Sequence, residues 1–380
     1  MSIRQHNLGS IVKPGFNPLG AQTTTTTYFP NLYSWGQNTN GQLGLGNTTN
    51  YSSPKLVGAL TNWLTVASGA YSSYAIKDDG TIWSWGSGAN GALGLGNTTY
   101  YSSPKQIGAL TTWLSVSAGY KHTAAIKTDG TLWTWGRNSS GQCGLGNTTD
   151  YSSPKQVGAY TTWYKVSCGG QFTLSIKTDG TLWAWGLNNN GALGLGNTTN
   201  YSSPKQVGAL TDWLSVSGGY NHSVAAKTDG TLWTWGSNAS GQLGIGNTTS
   251  YSSPKQVGAL TTWLTLGAGG QATGVVKTDG TLWMWGSGSA GMLGLGNLTN
   301  YSSPKQVGAL TDWSNVKISK MVRWSAAFKT NETLWAWGNN SSGQLGFNNT
   351  SNYSSPKQVG ALATWLNFSV SSTNTLALLY

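Results

Sequence analysis

WLSVSAGYKHTAAIKTDGTLWTWG, residues 113–136, contains three short runs and one unmistakable turn. Trp113-Leu-Ser-Val-Ser and Thr131-Leu-Trp-Thr-Trp alternate apolar and polar side chains, the period of two that a strand imposes. His122 to Lys127 is a further run between them. Thr128-Asp129-Gly130 is hairpin chemistry, since Gly tolerates the positive φ a tight turn needs. Downstream, Gly136, Gly141, Gly144 and Gly146 punctuate a long connection, and Lys155-Gln-Val after Pro154 reads as a short fourth segment. No helical period survives that glycine density. The stretch predicts a unit of four strands.

The unit recurs. Trp-Gly pairs stand at Trp35, Trp85, Trp135, Trp185, Trp235 and Trp285, a step of 50, and then at Trp337 after a slip of two residues. Pro54, Pro104, Pro154, Pro204, Pro254, Pro304 and Pro356 keep the same step, giving seven copies. A four-strand unit of about 40–50 residues in tandem is the signature of a β-propeller, because no single unit can bury both faces of its sheet. We expect an all-β, seven-bladed β-propeller over residues 31–380. The ends predict closure. Leu32 to Trp35 matches a third strand that lacks its upstream partner, and Asn374 to Leu379 matches a second strand that lacks its downstream one. Their pairing in one composite blade would remove the exposed edges.

The stretch VSAGYKHTAAIKTDGTLWTWGRNSSGQCGLGN, residues 116–147, resembles the repeat of the regulator of chromosome condensation (RCC1) family. The shared pattern is V-x-x-G-x-x-H-T-x-A, then D-G, then W-G-x-N-x-x-G-Q-L-G-x-G. The resemblance implies the seven-bladed fold. It does not imply one activity, since the family includes a chromatin-bound exchange factor for a small GTPase, a secreted inhibitor, ubiquitin-ligase regulatory domains, and bacterial and phage proteins. The spacing of 50 leaves no insertion longer than two residues, and residues 1–30 carry only Arg4 and Lys13 as strong cations. Both features depart from the exchange factor. The near-identity of the copies is similar to tandem expansion in phage or bacterial members.

Composition narrows the function. Only 8% of the chain is charged, against about 25% in typical soluble domains. The excess of 21 Lys and Arg over 10 Asp and Glu is spread thinly, so nucleic-acid binding is not expected. There is no long apolar run for a membrane span and no leader-type apolar stretch at the start. Cys143 and Cys168 are expected as free thiols. His6, His122 and His222 are the only histidines and have no carboxylate or nucleophile nearby in sequence, so neither catalysis, a metal nor a cofactor is expected. The Asp of each T-D-G turn reads as a hairpin residue, and GLGLGN lacks the helix and the G-K-[ST] of a phosphate loop.

Two places vary between otherwise matching copies. One is the turn entering the H-T strand: Tyr71-Ser72, Lys121-His122, Gln171-Phe172, Asn221-His222, Gln271-Ala272, Arg323-Trp324 and Thr373-Asn374. The other follows Trp-Gly: Gln37 to Asn40, Ser87 to Asn90, Arg137 to Ser140, Leu187 to Asn190, Ser237 to Ser240, Ser287 to Ala290 and Asn339 to Ser342. Propeller topology predicts that the first set rings the central channel mouth as a contact face, with aromatics and Arg as anchors. Lys55, Lys105, Lys155, Lys205, Lys255, Lys305 and Lys357 occupy one position in every copy and form a candidate basic ring. A second set, Lys77, Lys127, Lys177, Lys227, Lys277 and Lys329, adjoins the turns. The copy containing KISKMVRWSAAFKTNETLW, residues 317–335, breaks the pattern. We read Met321 as replacing Gly119, Trp324 as replacing His122, and Asn331-Glu332 as replacing Asp-Gly in a distorted turn.

Residues 1–30 do not match the repeat. They are weakly charged, with Pro14, Pro18, Pro30 and a run from Thr23 to Thr27. They read as an extended arm that anchors the propeller to other proteins of a larger assembly. With the phage-like repeat, this suggests a non-enzymatic propeller on a virion surface or tail, contacting a host glycan or protein or neighbouring subunits. The alternatives are an intracellular, cytoplasmic protein-interaction propeller of GTPase-regulator or chromatin-binding type, and a secreted inhibitor.

Overall fold

The computed structural model describes residues 30–361 and 364–380, and the expected arm falls outside them except for Pro30. Seven antiparallel sheets of four strands form the ring. In blade three the inner strand is Trp113–Ala118, followed by His122–Lys127, Leu132–Gly136 and the outer strand Tyr151–Gln156. The outer strand starts at Tyr151, earlier than the expected Lys155, and so contains Pro154. Proline is tolerated there because the outer strand is an edge, with one side free of ladder bonds.

Blade one is the composite. Its order is Tyr51–Leu56, Asn31–Gly36, Asn374–Leu379 and Trp365–Val370. Asn31 to Gly36 pair without interruption against Leu379 to Asn374. The expected closure by the two ends of the chain is therefore present. Blades two to seven follow in order, with inner strands beginning at Trp63, Trp113, Trp163, Trp213, Trp263 and Trp313.

The Trp-Gly tryptophans lock neighbouring blades. Each is buried, and its indole N–H donates to a carbonyl one copy earlier: Trp135 to Ala92 at 2.9 Å, Trp185 to Gln142 at 3.0 Å. The bond that closes the ring runs from Trp35 to the Gln344 carbonyl at 2.9 Å. Gly94 explains part of the glycine pattern. Its φ is +73°, and a Cβ there would lie 2.9 Å from the indole nitrogen of Trp135. Second strands are sandwiched between two sheets; His122–Lys127 is buried along its whole length, and in Ser72–Lys77 and Ala272–Lys277 only the closing lysine is partly exposed.

Strand direction defines two faces. The inner-to-second turns and the connections after Trp-Gly lie on one, here the connection face. The T-D-G hairpins and the loops before each inner strand lie on the other, the hairpin face. At that end each inner strand carries a bulge between its first and third residues, for example between Trp113 and Ser115.

Candidate functional site

The expected contact set divides in two. Tyr71, Lys121, Gln171 and Asn221 are half-buried and Arg323 is exposed, all on the connection face. Their neighbours His122, Phe172, His222, Trp324 and Asn374 are at most 1% exposed and are not contact residues. Each is the first residue of a second strand and points between blades. Copy-to-copy variation there reflects fit to a particular interface. Where Ser72 is small, Tyr74 fills the space and its hydroxyl meets Ser72 Oγ at 3.1 Å. Trp324 donates from its indole to Ser372 of blade one at 3.0 Å.

The histidines show the chemistry of that position. His122 Nε2 lies 3.1 Å from Thr173 Oγ1, whose own proton goes to the Gln142 carbonyl at 2.9 Å. The hydroxyl oxygen must therefore accept, which places the imidazole proton on Nε2. His222 repeats this with Thr273 at 3.0 Å and the Gln242 carbonyl. Burial pushes His122 down to about 3, helped by the Lys320 charge, and His222 down to about 4. Both are neutral core residues. No group of three or more His, Cys, Asp or Glu among the described residues is placed to hold a metal. Cys143 and Cys168 are free and buried, and burial raises both thiols, Cys168 to about 11.

The channel mouth is lined one position earlier than expected, by Tyr120, Tyr220 and the segment after Ser319. Tyr120 makes edge contacts with Tyr71 at 6.3 Å and with Tyr220 at 6.5 Å. Here the irregular copy finds its role. Ser319, not Met321, takes the place of Gly119: its N–H bonds the Trp324 carbonyl as that of Gly119 bonds His122. The two extra residues therefore enlarge the turn itself. They carry Lys320 across the channel, where its ammonium donates to the Ala118 carbonyl at 3.0 Å and to the Cys168 carbonyl, both on far blades. Lys317 beneath it donates to the Phe368 carbonyl at 2.5 Å. Burial, reinforced by Lys320, pushes Lys317 down to about 8.

The same turn lines a groove of about 590 Å³ on this face, spanning blades five to seven. It joins both variable sets: Asn221, Gln271 and Arg323 from the turns, Ser237, Ala239 and Asn339 from the connections. The second set has its own buried exceptions. Asn138 is fully buried, donating to Asn147 and accepting from the Cys143 N–H, so it shapes the connection rather than contacting solvent.

Charge separates the faces. Every acid but Asp150 lies in a T-D-G-type hairpin or just before an inner strand. Asp150 itself is occupied by the Asn138 N–H at 2.7 Å and the Asn90 amide at 2.8 Å. The connection face thus presents Lys121, Arg137 and Arg323 with little to offset them, while the Lys320 ammonium is taken up by backbone carbonyls.

The lysine sets part company. Lys55, Lys105, Lys155, Lys205, Lys255, Lys305 and Lys357 are exposed on the outer strands, each over a tyrosine ring such as Tyr151. The second set is largely withdrawn from solvent. Lys127, Lys177, Lys227 and Lys329 are at most 8% exposed. Their ammonium groups sit over tryptophans, Lys127 at 3.8 Å from the Trp133 ring centre, and Lys227 and Lys329 also pair with Asp212 and Asp312 at 3.3 Å.

A family model described as the regulator of chromosome condensation (RCC1) repeat matches residues 31–76, 79–126, 129–176, 179–226, 229–276, 279–321 and 331–378. The chain belongs to the RCC1 repeat family. Among solved structures, Prp20p from Saccharomyces cerevisiae, described with its binding to Gsp1p and histones, superposes with a TM-score of 0.83. Its sequence identity is 19%, over 93% of this chain and 92% of that one. Yeast RCC1 (Prp20) bound to Kap60 gives 0.83 at 18% identity, over 100% and 96%. Human WBSCR16 gives 0.82 at 21%, over 92% and 98%. These likenesses show the shared RCC1 fold. A comparison with curated protein sequences finds no match. No helix among the described residues is long and apolar enough to cross a membrane.

Proposed function

We propose that this RCC1-type propeller is a non-enzymatic protein-interaction module that holds an acidic segment of a protein partner on its connection face. The observation that carries this is the groove of about 590 Å³ lined by the exposed Arg323, with the amides of Asn221, Gln271 and Asn339, on a face whose one acid is already satisfied. Grooves with a rigid wall and a few convergent polar groups are the usual binding places, and Arg is a preferred anchor. The RCC1-type structures similar to this one are described with protein partners, which supports the protein-interaction reading. Nothing in the comparisons supports display on a virion, so the protein-interaction alternative is the one adopted. The test is affinity capture with the purified chain against Lys121→Glu/Arg323→Glu, followed by quantitative identification. The double variant should lose the captured protein and Lys155→Glu/Lys205→Glu on the rim should keep it. Equal capture by all three would remove this face from the account.

A further inference from the structure

The channel holds buried positive charge that the proposed function does not use. Lys165 and Lys317 stand on inner strands, and Lys320 on the turn between an inner and a second strand. Each sends its ammonium to backbone carbonyls of other blades: Lys165 to Leu214 at 2.8 Å, Lys317 to Phe368 at 2.5 Å, and Lys320 to Ala118 at 3.0 Å and to Cys168. Burial lowers all three, as it does for any cation drawn out of water. No Asp or Glu stands on any inner strand or on any turn from an inner to a second strand. Carbonyl oxygens satisfy N–H groups but leave the net charge in place, and a buried charge is costly unless an opposite one meets it.

The room for an opposite charge lies beside Lys320. A cavity of about 10 Å³ at the channel mouth is lined by Lys320, Ser68, Ala70 and Ser372, with the backbone of Gly119 and Gly170. Its walls offer unused donors. An ammonium has three N–H groups, and carbonyls take two of those on Lys320. Ser68 is 7% exposed, and its hydroxyl has no partner among the described residues. The matching residues of the other blades are Ala118, Cys168, Gly218, Ala268, Ile318 and Val370, so a hydroxyl stands at this position only beside the cavity. The backbone pattern also breaks here. Elsewhere the turns donate N–H groups to the next blade, Tyr120 to Gly170, Gly170 to Gly219, Tyr220 to Gly269 and Gly270 to Ser319. No such bond is found for Ala70 or Ser372 among the described residues. A space of this size takes one particle on the scale of a water molecule, which suits a halide and excludes a tetrahedral oxyanion.

We propose that this cavity holds one halide ion, such as chloride, bound by the Lys320 ammonium and the Ser68 hydroxyl. The ion offsets the buried ammonium and ties the enlarged turn of blade seven to the inner strand of blade two.

Thermal unfolding of the full chain at constant ionic strength tests this, with chloride or bromide replacing gluconate. The midpoint should rise and then saturate as either halide is added, since the ion binds the folded state. Sulfate should give only the gradual, unsaturating rise of an excluded salt. Ser68→Ala should raise the halide concentration for half the effect several-fold, and Lys320→Met should abolish the effect. Alanine is the natural residue here in blades three and six, so Ser68→Ala folds and decides the matter even if Lys320→Met does not fold. Anomalous scattering from crystals grown in bromide should place the ion between Lys320 and Ser68. The absence of a saturating rise, saturation with sulfate as well, or a halide response that Ser68→Ala leaves unchanged would overturn the inference. So would bromide found only at other sites.

Discussion

His122 and His222 sit where a reader of the sequence would place surface residues, and their burial gives them a measurable signature. In the unfolded chain each titrates near 6.5, and in the fold near 3 and 4. As pH falls through 6.5 the unfolded chain takes up protons that the folded one refuses, so stability present above pH 7 is lost on acidification. At pH 5 the loss should be about 2 kcal/mol for each histidine. Replacing both with Phe, the residue at the matching position 172, should flatten the dependence of the urea midpoint between pH 7 and 5. An unchanged slope would mean that these imidazoles are solvated. The sequence hides their burial because variation between copies reads as exposure. The legible signal was size compensation within a blade: Ser72 with Tyr74, Ala272 and Gly274 with Met284.

At the scale of elements, the strands and hairpins were legible because alternation, T-D-G and Trp-Gly each impose a local geometry. The hairpin at Asn331-Glu332 was expected to distort for lack of glycine. It does not: Glu332 adopts φ +62°, its N–H bonds the Lys329 carbonyl at 3.1 Å, and Asn331 caps Thr333 as Asp129 caps Thr131. The turn keeps its form and accepts a left-handed non-glycine residue instead. Glu332→Gly should therefore raise stability by about 1 kcal/mol, the left-handed cost less glycine's greater unfolded freedom. Equilibrium denaturation would show it, and a loss of stability would mean that the Glu332 side chain has a role of its own. The enlarged turn after Ser319 was recognised as irregular, but its purpose was not. Where Lys320 reaches depends on blades two hundred residues earlier in the chain, at Ala118, which no local pattern encodes.

For the whole molecule, closure was legible because each terminal strand lacked a partner that the other supplied. Blade one holds the ring by the pairing of residues 31–36 with 374–379 and by the Trp35 bond to Gln344. Deleting residues 371–380 removes a central strand from that blade and should abolish cooperative thermal unfolding near the native midpoint, while an unchanged midpoint would deny the clasp. The face proposed for a partner was not legible, since its groove is shared by three blades that are separate in the chain. The irregular turn is where ring architecture and proposed function meet. The most direct measurement exchanges Ser319–Arg323 for Gly-Gly-Gln, the turn of blade six at residues 269–271, and compares partner capture by the two proteins. The account predicts a folded propeller, verified by its unfolding transition, that no longer captures the protein held by the natural chain. Undiminished capture by the regularised ring would contradict it.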